Sequence, residues 1–194
     1  MKEAYSTKQE LRTRYLSYRN ELSTSRRKEK SAKIWEFMKK EAVYQKAQAI
    51  LVYMDYRSEV MTTGLVEELL RLGEKRIFAP KVEGMNIWFY EVKTMEDFAD
   101  GYQGIREPES NKEKCFTLQM SEGLESLILV PGAVFDRQRG RIGYGKGFYD
   151  RYLARFPALH SIAFAFECQI AKKVPEEPHD RKMDMIITEL SVIK

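Results

Sequence analysis

The sequence has few cysteines and no long apolar run, and each absence excludes a class of protein. Its 194 residues include two cysteines, Cys115 and Cys168, too few for a disulfide framework and without metal-binding spacing. The longest apolar runs, such as residues 127–131, fall far short of the ~20 residues that span a bilayer. Residues 1–9 are charged and lack the apolar segment of a secretory signal. We therefore expect a cytoplasmic protein without membrane association.

The composition predicts a folded chain of ordinary domain size. Apolar residues make up 43% of the sequence and aromatic residues 12%, which is enough to build a core and too much for a disordered chain. No repeat, low-complexity tract or break in composition suggests a second domain. We expect a single domain over residues 1–194, with residues 1–48 forming basic helices packed on the body.

The positive charge is concentrated near the N-terminus. Residues 1–48 hold 13 Lys and Arg against 6 Asp and Glu, whereas residues 49–194 hold 20 against 23. Such a segment can attract phosphate-bearing partners, or it can be the solvated outer face of packed helices. Interspersed glutamates and the lack of an RNA-binding motif argue against a nucleic-acid partner.

Helices and strands are predicted to alternate along the chain. Thr7 and Glu10 form a capping-box pattern, which predicts a helix from Lys8 to about Leu22. The alternation indicates an α/β fold, with a sheet covered on both faces. Residues 94–126 are predicted to be surface connections. Further helices are predicted from about residue 24 to 44, over 65–72 and over 148–156, and strands over 49–53, 76–79 before Pro80, 86–92, 127–130, 161–166 and 185–188.

A glycine-rich segment, residues 139–151, carries the strongest chemical signal. It holds four of the eleven glycines and four basic residues, between a buried strand and a predicted helix. Glycines let successive backbone N–H groups converge on an anion, and a helix N-terminus adds partial positive charge. Lys146 and Arg141 can add full charges, and Asp150 can hold a divalent ion that bridges phosphate oxygens.

The segment matches neither of two common nucleotide-binding patterns. It lacks the Gly-Lys-Ser/Thr of a Walker A loop and the glycine spacing of a dinucleotide fingerprint. A generic kinase or dehydrogenase is therefore disfavoured. The alternative is a flexible glycine-rich loop whose charges are solvated.

A two-part signature and four further matching segments give the sequence a resemblance to a known family. Residues 130–136 (VPGAVFD) and 140–153 (GRIGYGKGFYDRYL) resemble the signature of the 5-formyltetrahydrofolate cyclo-ligase family, also called 5,10-methenyltetrahydrofolate synthetase. The likeness extends to residues 8–12, 53–59, 104–108 and 178–180, with Asp184 near the end.

The resemblance implies both a fold and a reaction. The fold is a three-layer α/β/α sandwich with a mostly parallel sheet, related to sugar-phosphate isomerase and CoA-transferase folds. The reaction uses ATP and Mg²⁺ to close 5-formyltetrahydrofolate into 5,10-methenyltetrahydrofolate, through an iminophosphate that N10 attacks, and releases ADP and phosphate. We expect a monomer with this folate as substrate. Isomerase or transferase activity rests on fold analogy alone.

The resemblance also implies roles for individual residues. Lys146 and Arg141 are expected to be catalytic, with Lys146 stabilising the transferring phosphoryl group. Asp150 and Asp180 are the expected magnesium ligands. The expected ATP-binding residues are Lys8, Gln9, Glu10, Leu11, Arg12, Arg141, Ile142, Gly143, Tyr144, Gly145, Lys146, Gly147, Phe148 and Tyr149. The expected folate-binding residues are Met54, Glu59, Tyr144, Gly145, Lys146, Gly147 and Phe148.

Some positions are open or depart from the family pattern. Asp184 competes with Asp180 as a metal ligand, His179 is either a phosphate contact or a solvated loop residue, and Tyr56 either stacks on the pterin or packs. Phe148 stands where the family often has tyrosine. Near the expected formyl site, Gln103 stands immediately before Gly104.

Overall fold

The computed structural model describes residues 7–178 and 180–194, which form helices around a central sheet. The helices are α1 (Lys8–Asn20), α2 (Thr24–Lys40), α3 (Ala42–Lys46), α4 (Thr63–Leu72), α5 (Leu118–Gly123) and α6 (Phe148–Arg155). The strands are β1 (Ala49–Leu51), β2 (Arg76–Glu83), β3 (Asn86–Val92), β4 (Phe98–Asp100), β5 (Arg106–Pro108), β6 (Ser126–Val130), β7 (Val134–Asp136), β8 (Arg141–Ile142), β9 (His160–Phe164), β10 (Ile170–Ala171), β11 (Met185–Ile187) and β12 (Val192–Ile193).

The central sheet has seven strands in the order β12-β11-β9-β6-β1-β2-β3. The five inner strands are parallel, and the two edge strands pair antiparallel with their neighbours. In the middle of the sheet, Leu51 pairs with Phe78 on one side and Ile128 on the other. The prediction of a mostly parallel α/β sheet is therefore confirmed.

Apolar side chains alternate between the two faces of this sheet, and each face is covered by helices. Ile50 and Leu129 face a cluster that includes residues of α2 and α4. Leu51 and Val130 face a second cluster, to which α6 contributes Tyr152. Because strands buried on both faces need cover on both, helix, sheet and helix form three layers.

Helix α1 packs against a smaller sheet, β10-β7-β8, through a third apolar cluster. Its predicted start is confirmed, because the Glu10 amide donates to Thr7 Oγ1 and the Thr7 amide donates to Glu10 Oε2. Leu11 then lies buried with Val134 and Ile142. The first basic helix is therefore attached to the body, while the organisation of residues 1–194 as one domain stays a prediction.

The expected end of the second strand at Pro80 is wrong, because β2 continues to Glu83. Pro80 pairs with Phe89, whose carbonyl accepts from the Phe116 amide on the far side of β3. The Pro80 nitrogen thus faces the side where β1 has already ended at Leu51. A proline fits there because no strand needs an N–H group from it.

Several other boundaries differ from the sequence-based predictions. The second helix does not run to Tyr44, because the extended backbone of Glu41 (ψ 135°) separates α2 from α3. Strand β1 stops at Leu51, and β9 and β11 each stop before their predicted ends. Residues 94–126 are more than connections, since β4 pairs with β5, α5 follows, and Phe98 and Phe116 are buried.

In the ranges described, no helix combines the length and apolar character that crossing a membrane would require.

Asp136 fixes the chain between β7 and the glycine-rich loop. Its carboxylate is fully buried and accepts from the amides of Gln138, Gly140 and Val174 at 2.7–2.9 Å.

We predict that Asp136→Ala, which leaves these donors unsatisfied, lowers the free energy of unfolding by about 3 kcal/mol in urea titrations. Asp100→Ala, on an exposed position of β4, should change it by less than about 0.5 kcal/mol. Equal effects would contradict the role given to Asp136.

Candidate functional site

A cleft of about 690 Å³ opens beside the carboxyl ends of β1 and β6 and the second half of β2. Met54 follows β1, Pro131 follows β6, and Val82 lies in β2. Ligands of open α/β sheets usually bind at this edge, where the loops that follow the strands meet. Helix α1, the glycine-rich loop and residues 102–107 form the other walls.

The glycine-rich loop is held against α1. Arg12 Nε donates to the Gly143 carbonyl at 2.8 Å, and Arg12 lines the cleft. Gly145 (φ +94°) and Gly147 (φ +64°) adopt left-handed backbone conformations, which glycine tolerates without strain. Gly147 is also the N-cap of α6, so the loop delivers the N-terminus of this helix to the cleft.

Arg141 forms an ion pair in the cleft wall. Its side chain is 3% exposed; Nη2 donates to Asp150 Oδ2 at 2.8 Å, and Nη1 donates to the Pro131 carbonyl at 3.2 Å. Its Nε is buried and has no hydrogen-bond partner among the described residues. A buried donor left unpaired is costly, and the Arg141 guanidinium keeps one hydrogen bond unmade in this wall.

Lys8 lies at one end of the cleft with two carboxylates. Its Nζ is 2.5 Å from Asp180 Oδ2 and 2.9 Å from Glu177 Oε2. Burial alone would lower the pKa of Lys8, but the hydrogen bonds and charges of Asp180 and Glu177 outweigh it and raise that pKa. Lys8 is therefore fully protonated at neutral pH.

Lys146 is one of the cations that line the cleft. It is exposed on the glycine-rich loop and lines the cavity. Within the described part of the chain, its ammonium group makes no ion pair or hydrogen bond. Its position leaves the ammonium available to a bound anion.

The predicted folate residues lie together on another wall. Glu59 is 6% exposed; its Oε1 accepts from the Tyr144 hydroxyl at 2.5 Å and its Oε2 from the Tyr56 amide at 2.9 Å. Burial raises the pKa of Glu59, against the opposing effects of the Tyr144 hydrogen bond and the Arg19 charge. Met54, buried beside the cleft, lines the same cavity.

The Tyr144 side chain spans the site. The residue is 44% exposed, while its hydroxyl lies between Arg19 Nη1, at 2.7 Å, and Glu59. Burial of the hydroxyl, followed by the charge of Glu59, raises the pKa of Tyr144 well above its ordinary value. The hydroxyl is therefore neutral and donates to Glu59.

Three of the predicted α1 positions do not line the cleft. Leu11 is buried in the apolar cluster of the small sheet, and Glu10 caps the helix. Gln9 Oε1 accepts from Arg12 Nη1 at 2.5 Å. The other two, Lys8 and Arg12, line the cleft, so the helix contributes to it through one face.

The competing metal ligand is engaged elsewhere. Asp184 Oδ2 accepts from both the amide and the hydroxyl of Ser161, each at 2.8 Å, and so joins the starts of β9 and β11. Asp150 and Asp180 both line the cleft, and His179 lies outside the described residues. Of the two candidates, Asp180 is the one placed beside the expected phosphate site.

Asp150 and Asp180 fit a magnesium site in which the substrate supplies some of the ligands. The ranges described contain no cluster of three or more His, Cys, Asp or Glu side chains suited to a metal ion. Protein-bound Mg²⁺ often takes only one or two carboxylates and completes its shell with phosphate oxygens and water. Two carboxylates beside Arg141 and Lys8 suit that arrangement.

Sequence reasoning missed several residues of the cleft. Arg19 is buried in the wall formed by α1, and its spacing from Lys8 and Arg12 places all three on one helical face. That spacing was the available signal. Glu107 is 7% exposed and accepts from the Val82 amide at 3.2 Å. The predicted connection also brings Tyr102 and Ile105 to the cleft, together with Gln103, which the resemblance already placed near the formyl site.

Comparisons with known proteins show which family the chain is similar to. The family model described as the 5-formyltetrahydrofolate cyclo-ligase family matches residues 4–189. The probable 5-formyltetrahydrofolate cyclo-ligase of Schizosaccharomyces pombe is 27% identical over 166 residues, which cover 78% of this chain and 79% of that protein. The enzyme of Escherichia coli K12 is 26% identical over 147 residues, covering 73% and 78%.

Solved structures give the same result. The 5,10-methenyltetrahydrofolate synthetase of Aquifex aeolicus superposes with a TM-score of 0.82 at 32% identity, covering 95% of this chain and 91% of that one. The Mycoplasma pneumoniae synthetase, at 24% identity and a TM-score of 0.73, shares the fold and covers 95% and 99%. Because the family model covers most of the chain and a solved relative shares its fold, the chain belongs to the 5-formyltetrahydrofolate cyclo-ligase family.

Proposed function

We propose that the chain cyclises 5-formyltetrahydrofolate to 5,10-methenyltetrahydrofolate in the cytoplasm as a monomer, with ATP and Mg²⁺, releasing ADP and phosphate. The observation that carries the proposal is the cleft itself. It joins a cationic end, with Lys8, Arg12, Arg141 and Lys146, to a wall that presents the buried Glu59 carboxylate.

The cationic end suits a polyphosphate. Lys8 and Arg12 lie one helical turn apart and can bind its non-transferring oxygens. Arg141 is fixed by Asp150 and by the Pro131 carbonyl, so it needs little rearrangement before the reaction. ATP supplies the phosphoryl group that makes the formamide oxygen a leaving group, and N10 then closes the five-membered ring as phosphate departs.

Lys146 is the proposed catalytic cation. Its ammonium has no carboxylate partner in the described structure, whereas Lys8 and Arg141 are each paired. An unpaired cation on a glycine-rich loop can follow the charge of the phosphoryl group as it transfers. Asp150 and Asp180 would hold Mg²⁺, which would neutralise part of the phosphate charge.

The Glu59 wall suits the pterin. A carboxylate accepts the neighbouring N–H groups of a pterin in a paired geometry. Each Glu59 oxygen already accepts one protein donor, and each has a further lone pair for the ligand. Tyr144, Phe148 and Met54 supply apolar contact area around the ring.

We predict that the purified protein converts 5-formyltetrahydrofolate to the methenyl chromophore only with ATP and Mg²⁺. Lys146→Ala should lower kcat by roughly 10²–10³-fold, because one cation is lost where charge develops. Lys112→Ala removes an exposed lysine outside the cleft and should leave the rate unchanged. Folded wild-type protein that produces no chromophore would refute the proposed function.

We predict a second effect at Gly143, whose added Cβ would lie 2.8 Å from Arg141 Nη1. Gly143→Ala should push the guanidinium away from Asp150 and lower kcat/KM for ATP about tenfold. Gly123→Ala is the matched control, since its Cβ would meet nothing within 4 Å. Steady-state rates at varied ATP measure both variants, and wild-type kinetics in Gly143→Ala would show that the placement of Arg141 does not matter.

A further inference from the structure

Arg19 is a buried cation in the cleft wall, and it has no role in the proposed reaction. It lies near the end of α1, is 3% exposed and lines the cavity. Burying a guanidinium is costly unless its donors are bonded and its charge is balanced. Its partners therefore indicate what this charge does.

The guanidinium of Arg19 bonds to neutral oxygens. Nε donates to Ser58 Oγ at 2.9 Å, while Nη1 donates to the Tyr144 hydroxyl at 2.7 Å and to the Gly132 carbonyl at 3.3 Å. Ser58 in turn donates to Asn20 Oδ1 at 2.5 Å. Arg19 is thus held from three sides: by Ser58 after β1, by the chain after β6 and by the glycine-rich loop.

The Tyr144 hydroxyl connects Arg19 to Glu59. It accepts from Arg19 Nη1 and donates its single proton to Glu59 Oε1 at 2.5 Å. Accepting from a cation leaves that proton directed at the carboxylate. Arg19, the Tyr144 hydroxyl and Glu59 therefore form a chain of hydrogen bonds in the cleft wall, which joins a positive charge to a negative one.

We propose that Arg19 is a positioning residue for folate: it fixes the Tyr144 hydroxyl against Glu59 and keeps the Glu59 carboxylate charged. This inference rests on the proposed function, because Glu59 is taken to bind the pterin. Arg19 acts on the substrate through these two side chains.

The charges around Glu59 support this role. Burial raises the pKa of Glu59, the Tyr144 hydrogen bond and the Arg19 charge lower it, and Asp55 raises it again. Tyr53 and Tyr149, whose pKa values are raised by burial and by Glu59, are neutral neighbours. Arg19 is the cation that favours the charged carboxylate, so its removal should shift protonation of Glu59 to higher pH.

The test compares Arg19→Met with Arg19→Lys and with Arg14→Met, which makes the same change at an exposed position of α1. In Arg19→Met we expect KM for 5-formyltetrahydrofolate to rise about tenfold at pH 7, with kcat and KM for ATP within twofold of wild type. The rise should shrink as the pH increases, because the acid limb of kcat/KM moves to higher pH when Glu59 loses the nearby positive charge.

The lysine variant separates charge from geometry. Arg19→Lys retains the cation but not the planar fork, so its pH profile should match wild type while KM for the folate rises about threefold. If Arg19→Met does not fold, Arg19→Lys still tests the proposal. An unchanged KM for the folate in Arg19→Lys would contradict the positioning role. Arg14→Met should behave as wild type throughout.

A readout without turnover keeps this inference separate from the proposed function. Glu59 can be titrated by carbon NMR in protein labelled at glutamate carboxyls, with Glu59→Gln to assign the signal. Its midpoint should rise by about one pH unit in Arg19→Met.

An inactive wild type would refute the proposed function while this titration still decides the effect of Arg19 on Glu59. Lower thermal stability in Arg19→Met with unchanged folate KM and Glu59 midpoint would leave Arg19 a structural residue and overturn the inference.

Discussion

Hydrogen bonds from arginines of α1 hold the glycine-rich loop in place, and the cleft depends on them. Arg12 Nε donates to the Gly143 carbonyl, and Arg19 Nη1 donates to the Tyr144 hydroxyl. Leu11 secures the same helix by packing with Ile142 and the rest of the small sheet. Because glycines alone would leave this loop free to sample many conformations, its shape depends on a helix more than a hundred residues earlier in the chain.

The charges of the cleft are arranged so that most are balanced before any ligand binds. Arg141 is paired with Asp150 and Lys8 with Asp180, while Arg19 reaches Glu59 through a hydroxyl. Pairing offsets the desolvation that buried charges would otherwise suffer. Lys146 and Arg12 make no ion pair within the described chain. The cleft thus combines a preorganised frame with cations whose charge remains available to the substrate.

The basic surplus of residues 1–48 divides between two uses that the sequence could not separate. On α2, Lys30 pairs with Glu189, Lys33 with Glu29 and Lys39 with Glu68. The Lys33–Glu29 pair is solvent-exposed and therefore weak, whereas the Glu189 side chain in the Lys30 pair is only 3% exposed. None of these three lysines lines the cleft. The cations that reach the cleft are on α1, where Lys8, Arg12 and Arg19 share one face.

Local signals in the sequence determined several features of this protein. They are the capping box at Thr7, the end of α4 at Gly73, strand β3 and the glycine-rich loop. Each follows from hydrogen bonding or burial over a short stretch of chain. Tertiary structure decided the rest. Pro80 lies inside a strand because a neighbouring strand ends early, and Tyr144 meets Arg19 across 125 positions of sequence. Such contacts depend on how distant elements pack, and a buried charge shows its role only when the groups that surround it are known.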